Sequence, residues 1–72
     1  MKLPRGVAGS DVIRALERAE FTILRQEGSH VRLGRGALRV TAPLHASIAP
    51  GTLKAILRQS GLTIDEFIAA IR

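Results

Sequence analysis

The fold is decided by residues 28–42, GSHVRLGRGALRVTA. Apolar and polar side chains alternate there on both sides of a glycine-rich turn, and the apolar positions are Val31, Leu33, Leu38 and Val40. Because successive side chains of a β-strand point to opposite faces, this alternation predicts two antiparallel strands, 30–33 and 37–42, joined by a tight loop at 34–36. One face of the pair would be apolar. The opposite, basic face would carry His30, Arg32, Arg39 and Thr41.

A further strand is predicted before this pair. Residues 21–25 are rich in aromatic and β-branched side chains, which favour a pleated surface, but they do not fix which way each side chain faces. In the turn before His30, Gly28 can supply a positive φ and Ser29 can bond to local backbone. The chain therefore predicts three consecutive antiparallel strands.

Helices flank the strands on both sides. The periodicity of apolar residues predicts one helix before residue 20 and two after residue 50. Their boundaries are marked by a cap at Ser10 or Gly9, by Pro50 and Gly61, and by the capping box of Thr63 with Glu66. We expect an α+β two-layer sandwich in α-β-β-β-α order with a short C-terminal helix, which is also the order of the double-stranded RNA-binding domain. At the level of order alone this likeness identifies no function.

The composition narrows the class of protein. The 72 residues predict a single domain, 1–72, in which 1–8 form a short basic arm. The lack of cysteine excludes a disulfide framework and favours a reducing, cytoplasmic location. With no cysteine and only two histidines, the chain also lacks the ligands of a structural zinc site. No apolar run approaches the ~18 residues of a membrane span, and no leader-like segment follows Met1. We expect no membrane association and no metal or small-molecule cofactor.

The charge balance points to an anionic partner. The net charge is +5, and nine of the eleven basic residues are arginine. The planar guanidinium matches phosphate and carboxylate, so nucleic acid or an acidic protein surface is the expected partner. A genome whose composition favours arginine codons would give the same number of arginines without any anionic partner. Only the placement of the arginines in the fold separates the two explanations.

Four runs of the sequence together resemble one known family. They are RQEGSHVRL at 25–33, VTAPLH at 40–45, GTLKAILRQSGL at 51–62 and TIDEF at 63–67. This combination resembles the HicA family of toxins, also called YcfA-type proteins, over nearly the whole chain. The resemblance implies a double-stranded-RNA-binding-like fold, endoribonuclease activity on mRNA, and inhibition by a HicB-type antitoxin that covers the active site.

The resemblance also supplies a catalytic residue. The family's catalytic histidine belongs to its Gly-Ser-His motif, which corresponds to His30 here. Many members have a second histidine directly after the first, where this chain has Val31. Any partner of His30 in catalysis must therefore come from elsewhere in the chain.

Other residues are candidates for supporting roles. Gly28 and Ser29 would orient the turn, and His45 lies in a proline-bounded loop that can fold near the sheet edge. Candidate RNA contacts are Arg32 and Arg39 on the open face of the sheet, and Lys54 and Arg58 on the second helix. For each of these the alternative is a structural or solvating role.

The expected chemistry is metal-independent RNA cleavage. Neutral His30 would take the proton of a ribose 2′-OH, and Arg32 or Arg39 would stabilise the phosphoryl oxygens. The carboxylates lie mainly on predicted helix surfaces, and no cluster of them suits Mg²⁺. Two alternatives stay open: a noncatalytic RNA-binding module, and a basic domain that binds an acidic protein.

Overall fold

A computed structural model describes residues 3–72. The elements run in the order α1 (Gly9–Arg18), β1 (Thr22–Glu27), β2 (His30–Arg35), β3 (Leu38–Pro43), α2 (Pro50–Ser60) and α3 (Ile64–Ile71). This confirms the predicted α+β class and the α-β-β-β-α order with a short C-terminal helix. Residues 1 and 2 of the predicted basic arm lie outside the described residues. Within 3–72, no helix is long and apolar enough to cross a membrane.

The three strands form one antiparallel sheet with β2 in the middle. In the β2–β3 pair, Leu33 lies opposite Val40, and His30 lies opposite Pro43. Directly opposed residues share a face of the sheet, so the predicted division into an apolar and a basic face is confirmed. Val31, Leu33 and Val40 are almost fully buried, whereas His30 and Arg32 are exposed.

The β2–β3 hairpin differs from the prediction in its turn. The tight loop was expected at 34–36, but β2 continues through Gly34 and Arg35, and the turn is formed by Gly36 and Ala37. Gly36 has φ +57°, and a positive φ at the first central residue is typical of a type II′ hairpin turn. Gly34 serves a packing role instead. A Cβ at Gly34 would lie 2.8 Å from Leu24 Cδ1 and 3.0 Å from Arg39 Nη1.

β1 contains an irregularity that the sequence did not reveal. The pairing register of β1 with β2 shifts between Ile23, which is opposite Leu33, and Arg25, which is opposite Arg32. The extra residue of this bulge is Leu24. Arg25 and Glu27 consequently share the open face of the sheet with Arg32 and His30.

The helices cover the apolar face of the sheet. The core joins Val12 and Leu16 of α1, Leu53 and Ile56 of α2, and Phe67 of α3 to the buried strand residues. β3 is tied to α2 at its outer edge, where the Thr41 N–H donates to Gln59 Oε1 at 3.4 Å. β1 lies at the other edge, and all six of its residues are exposed.

The start of α1 is fixed by backbone contacts rather than by a side-chain cap. The helix begins at Gly9 and its N-cap is Ala8, which makes no side-chain cap bond, so the predicted cap at Ser10 or Gly9 is wrong. The Gly9 N–H donates to the carbonyl of His45 at 2.8 Å. A Cβ at Gly9 would collide with the Pro43 carbonyl oxygen and lie 2.9 Å from Leu44 Cα. Glycine is therefore needed where α1 meets the end of β3.

The other two helices begin and end as predicted. Pro50 opens α2, and Gly61 ends it with φ +75°. At α3, Thr63 Oγ1 accepts from the Glu66 N–H at 3.1 Å, and Glu66 Oε1 accepts from the Thr63 N–H at 2.8 Å. These bonds form the predicted capping box. At the other end of α3, Arg18 Nη1 donates to the carbonyls of Ala70 and Arg72, both at 2.7 Å.

Substituting Gly9 tests the close contact between α1 and β3. We expect Gly9→Ala to lower the free energy of unfolding by at least ~2 kcal/mol, because backbone atoms that cannot move aside occupy the added methyl's position. Gly51→Ala is the matched control, since a Cβ at Gly51 would meet nothing within 4 Å. The control should leave stability unchanged or raise it by up to ~1 kcal/mol. Equal urea-denaturation midpoints for the two variants would contradict this packing.

The capping box predicts a pH dependence of stability. Hydrogen bonding to the backbone and side chain of Thr63, and the positive charge of Arg35, lower the pKa of Glu66. A lowered pKa stabilises the fold above the ordinary carboxyl value of about 4.3, and this contribution is lost as the pH falls through the lowered value. We expect Glu66→Gln to reduce the melting temperature at pH 7 and the difference from wild type to vanish at acidic pH. Asp65→Asn, in the same turn, should have a smaller effect, and a Glu66→Gln difference that is independent of pH would contradict the assignment.

Candidate functional site

The open face of the sheet carries three of the eight predicted site residues. The helices pack on the opposite face, and the side chains that alternate away from them are exposed. On this face, β1 contributes Arg25 and Glu27, β2 contributes His30 and Arg32, and β3 contributes Arg39 and Thr41. We call this surface the open face. His30, Arg32 and Arg39 share this face, as the alternation predicted.

His30 lies at the end of the open face nearest the β1–β2 turn. It follows Gly28, which has φ +57°, and Ser29. The turn is held on both sides, because Gln26 Nε2 donates to the Gly28 carbonyl at 3.1 Å and the Leu44 N–H donates to the Ser29 carbonyl at 2.6 Å. Gly28 and Ser29 therefore position the start of β2.

The imidazole of His30 has no hydrogen-bond or ion-pair partner within residues 3–72. Its cross-strand neighbours are Glu27 on β1 and Pro43 on β3. Directly opposed side chains of antiparallel strands have Cβ atoms about 4.5–5.5 Å apart, so the Glu27 carboxylate is within reach of the ring. Both ring nitrogens are open to a ligand.

Beside His30, two arginines face each other across β1 and β2. Arg25 is paired with Arg32, which is two residues from His30 on the same face of β2. Arg25 Nη2 lies 3.4 Å from Glu27 Oε1, whereas the Arg32 side chain has no such partner among residues 3–72. Like charges directly opposite each other are destabilising, and an anion bound between them would offset the repulsion. The two guanidinium groups thus suit a phosphate.

Arg25 and Glu27 were not predicted as site residues. The facing of β1 was ambiguous from the sequence because Ile23 and Leu24 are adjacent apolar residues, and the bulge at Leu24 shifts everything after it by one position. The alternating charge of Arg25 and Glu27 around Gln26 was the only available signal.

Arg39 shares the open face but lies at its far end. It is opposite Gly34, four residues along β2 from His30 and therefore about 13 Å away along the strand. Its Nη1 donates to the carbonyls of Gly36 and Leu38, both at 2.8 Å. Arg39 thus braces the β2–β3 turn, and its guanidinium is directed to that turn and not to His30.

The second histidine lies at the same end of the sheet as the first. His45 comes two residues after Pro43, the cross-strand neighbour of His30, and its backbone carbonyl accepts from the Gly9 N–H. Its side chain is exposed. The proline-bounded loop therefore does return to the sheet edge at the level of His30.

Lys54 and Arg58 belong to a different surface. Both are exposed on α2 and line a groove between residues 3–5, α2 and the start of α3. We call it the helix-side groove, and its lining includes Leu3, Arg5, Lys54, Arg58, Leu62 and Ile64. α2 lies in the layer that covers the apolar face of the sheet, so these two residues are separated from the open face by the core.

Acidic and metal-ligating side chains are sparse around the open face. Among residues 3–72, no three histidine, cysteine, aspartate or glutamate side chains are grouped so that they could hold a metal ion. Glu27 is the one carboxylate that the strand register puts on the open face. The chemistry available there is that of imidazole, guanidinium and a single carboxylate.

Comparison with known proteins identifies the family. A search of curated proteins finds no match. A family model, that of the HicA toxin of bacterial toxin–antitoxin systems, matches residues 9–62, three quarters of the chain. The match begins at the first residue of α1, includes the whole sheet and ends just after α2. The chain therefore belongs to the HicA toxin family.

Proposed function

We propose that this HicA-type toxin is an endoribonuclease that cleaves mRNA on the open face, with His30 as the catalytic base, until a HicB-type antitoxin binds it. The observation that carries the proposal is the unpartnered imidazole of His30 beside the opposed guanidinium groups of Arg25 and Arg32. RNA offers the matching groups, since its 2′-OH is a proton donor next to an anionic phosphate. Family membership supports a toxin role and an antitoxin partner.

The first half of the reaction is proton removal from the ribose. Neutral His30 accepts the 2′-OH proton, and the 2′-oxygen attacks the adjacent phosphorus to form a bond with it. The bond from phosphorus to the 5′-oxygen breaks, which leaves a 2′,3′-cyclic phosphate on one fragment. The leaving 5′-oxygen takes up a proton, and His45, at the same end of the sheet, is the candidate donor. General-base catalysis of this kind contributes about 10²- to 10⁴-fold.

Arg32 and Arg25 would stabilise the phosphate during this step. Charge builds on the nonbridging oxygens as the fifth bond to phosphorus forms, and fixed guanidinium donors stabilise it. Arg32 has no competing intramolecular partner within residues 3–72, so it is the principal contact to the phosphate. Arg25 is positioned by its ion pair with Glu27. Arg39, braced on its own turn, would contact RNA further along the chain.

Glu27 gives His30 an orienting neighbour. A carboxylate that accepts from one imidazole nitrogen fixes the tautomer and leaves the other nitrogen available as a base. Glu27 is directly opposite His30 and can take this role. Base, charge stabilisation and orientation all come from side chains, and the proposed step is metal-independent.

The proposed mode of RNA binding is electrostatic. The chain has two aromatic side chains of the stacking kind, Phe21 and Phe67, and they are 3% and 0% exposed. Stacking of unpaired bases on these two rings is thus unavailable, and arginine contacts to the RNA backbone carry the affinity. The same cationic face would attract an acidic antitoxin surface. An antitoxin bound there would inhibit cleavage by blocking the access of RNA to His30.

Substitution of His30 tests catalysis. We expect His30→Ala to slow cleavage of a short single-stranded RNA by at least about 100-fold, while RNA affinity changes by less than about twofold. The same RNA methylated at its 2′-oxygens, and the corresponding DNA, should not be cut, and EDTA should have no effect.

Thr41→Ala is the matched control, because Thr41 lies on the same face and carries no titratable group. Its cleavage rate should stay near that of wild type. Unchanged cleavage by His30→Ala would refute the assignment, and RNA binding without any cleavage by wild type would favour a noncatalytic RNA-binding module.

Salt dependence tests the arginine pair. Each phosphate contact to single-stranded nucleic acid contributes about 0.7 to the slope of log affinity against log salt concentration. We expect Arg25→Ala and Arg32→Ala each to weaken RNA binding and to reduce the slope by about that amount. Arg14→Ala removes the same charge from the exposed surface of α1, where Arg14 pairs with Asp11, and should change neither quantity. Equal losses in all three variants would show that only net charge matters.

A further inference from the structure

The helix-side groove is a second concave surface, separate from the open face. It encloses about 790 Å³ between residues 3–5, the exposed side of α2 and the first residues of α3. Its sides come from segments that are distant in sequence, and the Val7 carbonyl holds the first segment in place by accepting from the Ile48 N–H at 2.8 Å. The proposed ribonuclease activity uses none of this surface.

The groove combines an aliphatic floor with a basic rim. Leu57 is buried at its base, and Leu3, Leu62 and Ile64 are half-buried against the core. Water covers this apolar surface unless a ligand does, so an occupant with aliphatic side chains would gain free energy by burying it. The volume lies in the range of ligand-binding clefts.

The rim carries three positive charges and no negative one. Arg5, Lys54 and Arg58 line the groove, and no aspartate or glutamate does. Within residues 3–72, none of the three has a side-chain hydrogen bond or an ion pair. Lys54 and Arg58 are also one helical turn apart, at positions i and i+4, where like charges repel each other.

The carboxylate of the capping box does not neutralise this rim. Glu66, in the first turn of α3, accepts from the Thr63 N–H and lies in a separate depression with Arg35. The three cations are therefore available to an anionic ligand. The basic rim requires an occupant with negative charges, and the aliphatic floor requires one with apolar side chains.

Nucleic acid fits only the charged half. Its phosphates would meet the basic rim, but the lining contains no aromatic residue on which a base could stack, and a polar nucleotide gains little by covering an aliphatic floor. A peptide that alternates carboxylates with leucine or isoleucine matches both halves. From this lining we infer that the helix-side groove is the docking site for an acidic, aliphatic peptide segment of a protein partner.

The docking site and the open face lie on opposite sides of the core. A partner segment in the groove can therefore hold the protein while the open face stays accessible. Docking here also gives Lys54 and Arg58 a role other than the RNA contact predicted for them, and one experiment separates the two roles.

Fluorescence anisotropy with a short labelled peptide of mixed glutamate and leucine tests the docking site on the full-length protein. We expect the double variant Lys54→Glu/Arg58→Glu to bind this peptide at least about tenfold more weakly than wild type. Arg14→Glu/Arg72→Glu is the matched control, because it changes the net charge equally at exposed positions outside both the groove and the open face, and its affinity should stay within about twofold.

Two further probes make the result specific. A peptide of glutamate and serine should bind at least about tenfold more weakly than the glutamate–leucine peptide, since it cannot bury the aliphatic floor. Excess single-stranded RNA should not displace the peptide. Equal losses in the two double variants, equal affinity for the two peptides, displacement by RNA, or no binding by wild type would each overturn the inference. None of these measurements depends on ribonuclease activity, so failure of the proposed cleavage would leave this test intact.

Discussion

The register of β2 between its two neighbours is the constraint on which the rest of the structure depends. Val31 and Leu33 lie under the helices only because β2 pairs as it does, with Leu33 between Ile23 and Val40. A shift of one residue would expose these two side chains and bury His30 and Arg32 among aliphatic groups. The cost of burying an unpaired guanidinium and the loss of apolar burial both act against that shift. Stability and the composition of the open face are therefore set by one choice of pairing.

Backbone hydrogen bonds also fix the position of the residues around His30. The Gly9 N–H holds the carbonyl of His45, and the Leu44 N–H holds that of Ser29. The two bonds connect the first turn of α1, the end of β3 and the turn before β2. The position of His30 is thus fixed by the helix layer as well as by the sheet. A catalytic role for an exposed histidine requires this kind of support, because an imidazole on a loose turn would spend little time in a productive orientation.

The sequence predicts most of the fold and about half of the candidate site. Alternation places His30, Arg32 and Arg39 on one face, and local signals mark the Gly61 terminus and the Thr63–Glu66 capping box, because each depends on residues close together in the chain. The bulge at Leu24 could not be foreseen, since it results from how β1 packs beside β2, and with it Arg25 and Glu27 were missed. Gly34 resembles a turn residue, but its contacts with Leu24 and Arg39 come from both neighbouring strands. The grouping of Arg5 with Lys54 and Arg58 likewise depends on contacts across the whole chain.

The bulge in β1 also affects how copies of this protein meet at high concentration. β1 is the exposed edge of the sheet, and an edge strand presents backbone donors and acceptors to any passing strand. Burial of Ile23 and Leu24, which are 44% and 49% exposed, would stabilise such intermolecular pairing. The bulge interrupts the regular spacing of the strand at this point, and the charged Arg25 and Glu27 follow at once. The irregularity that turns an arginine toward the open face thereby also discourages intermolecular β-pairing, so recruitment of Arg25 and protection from self-association have a single structural origin.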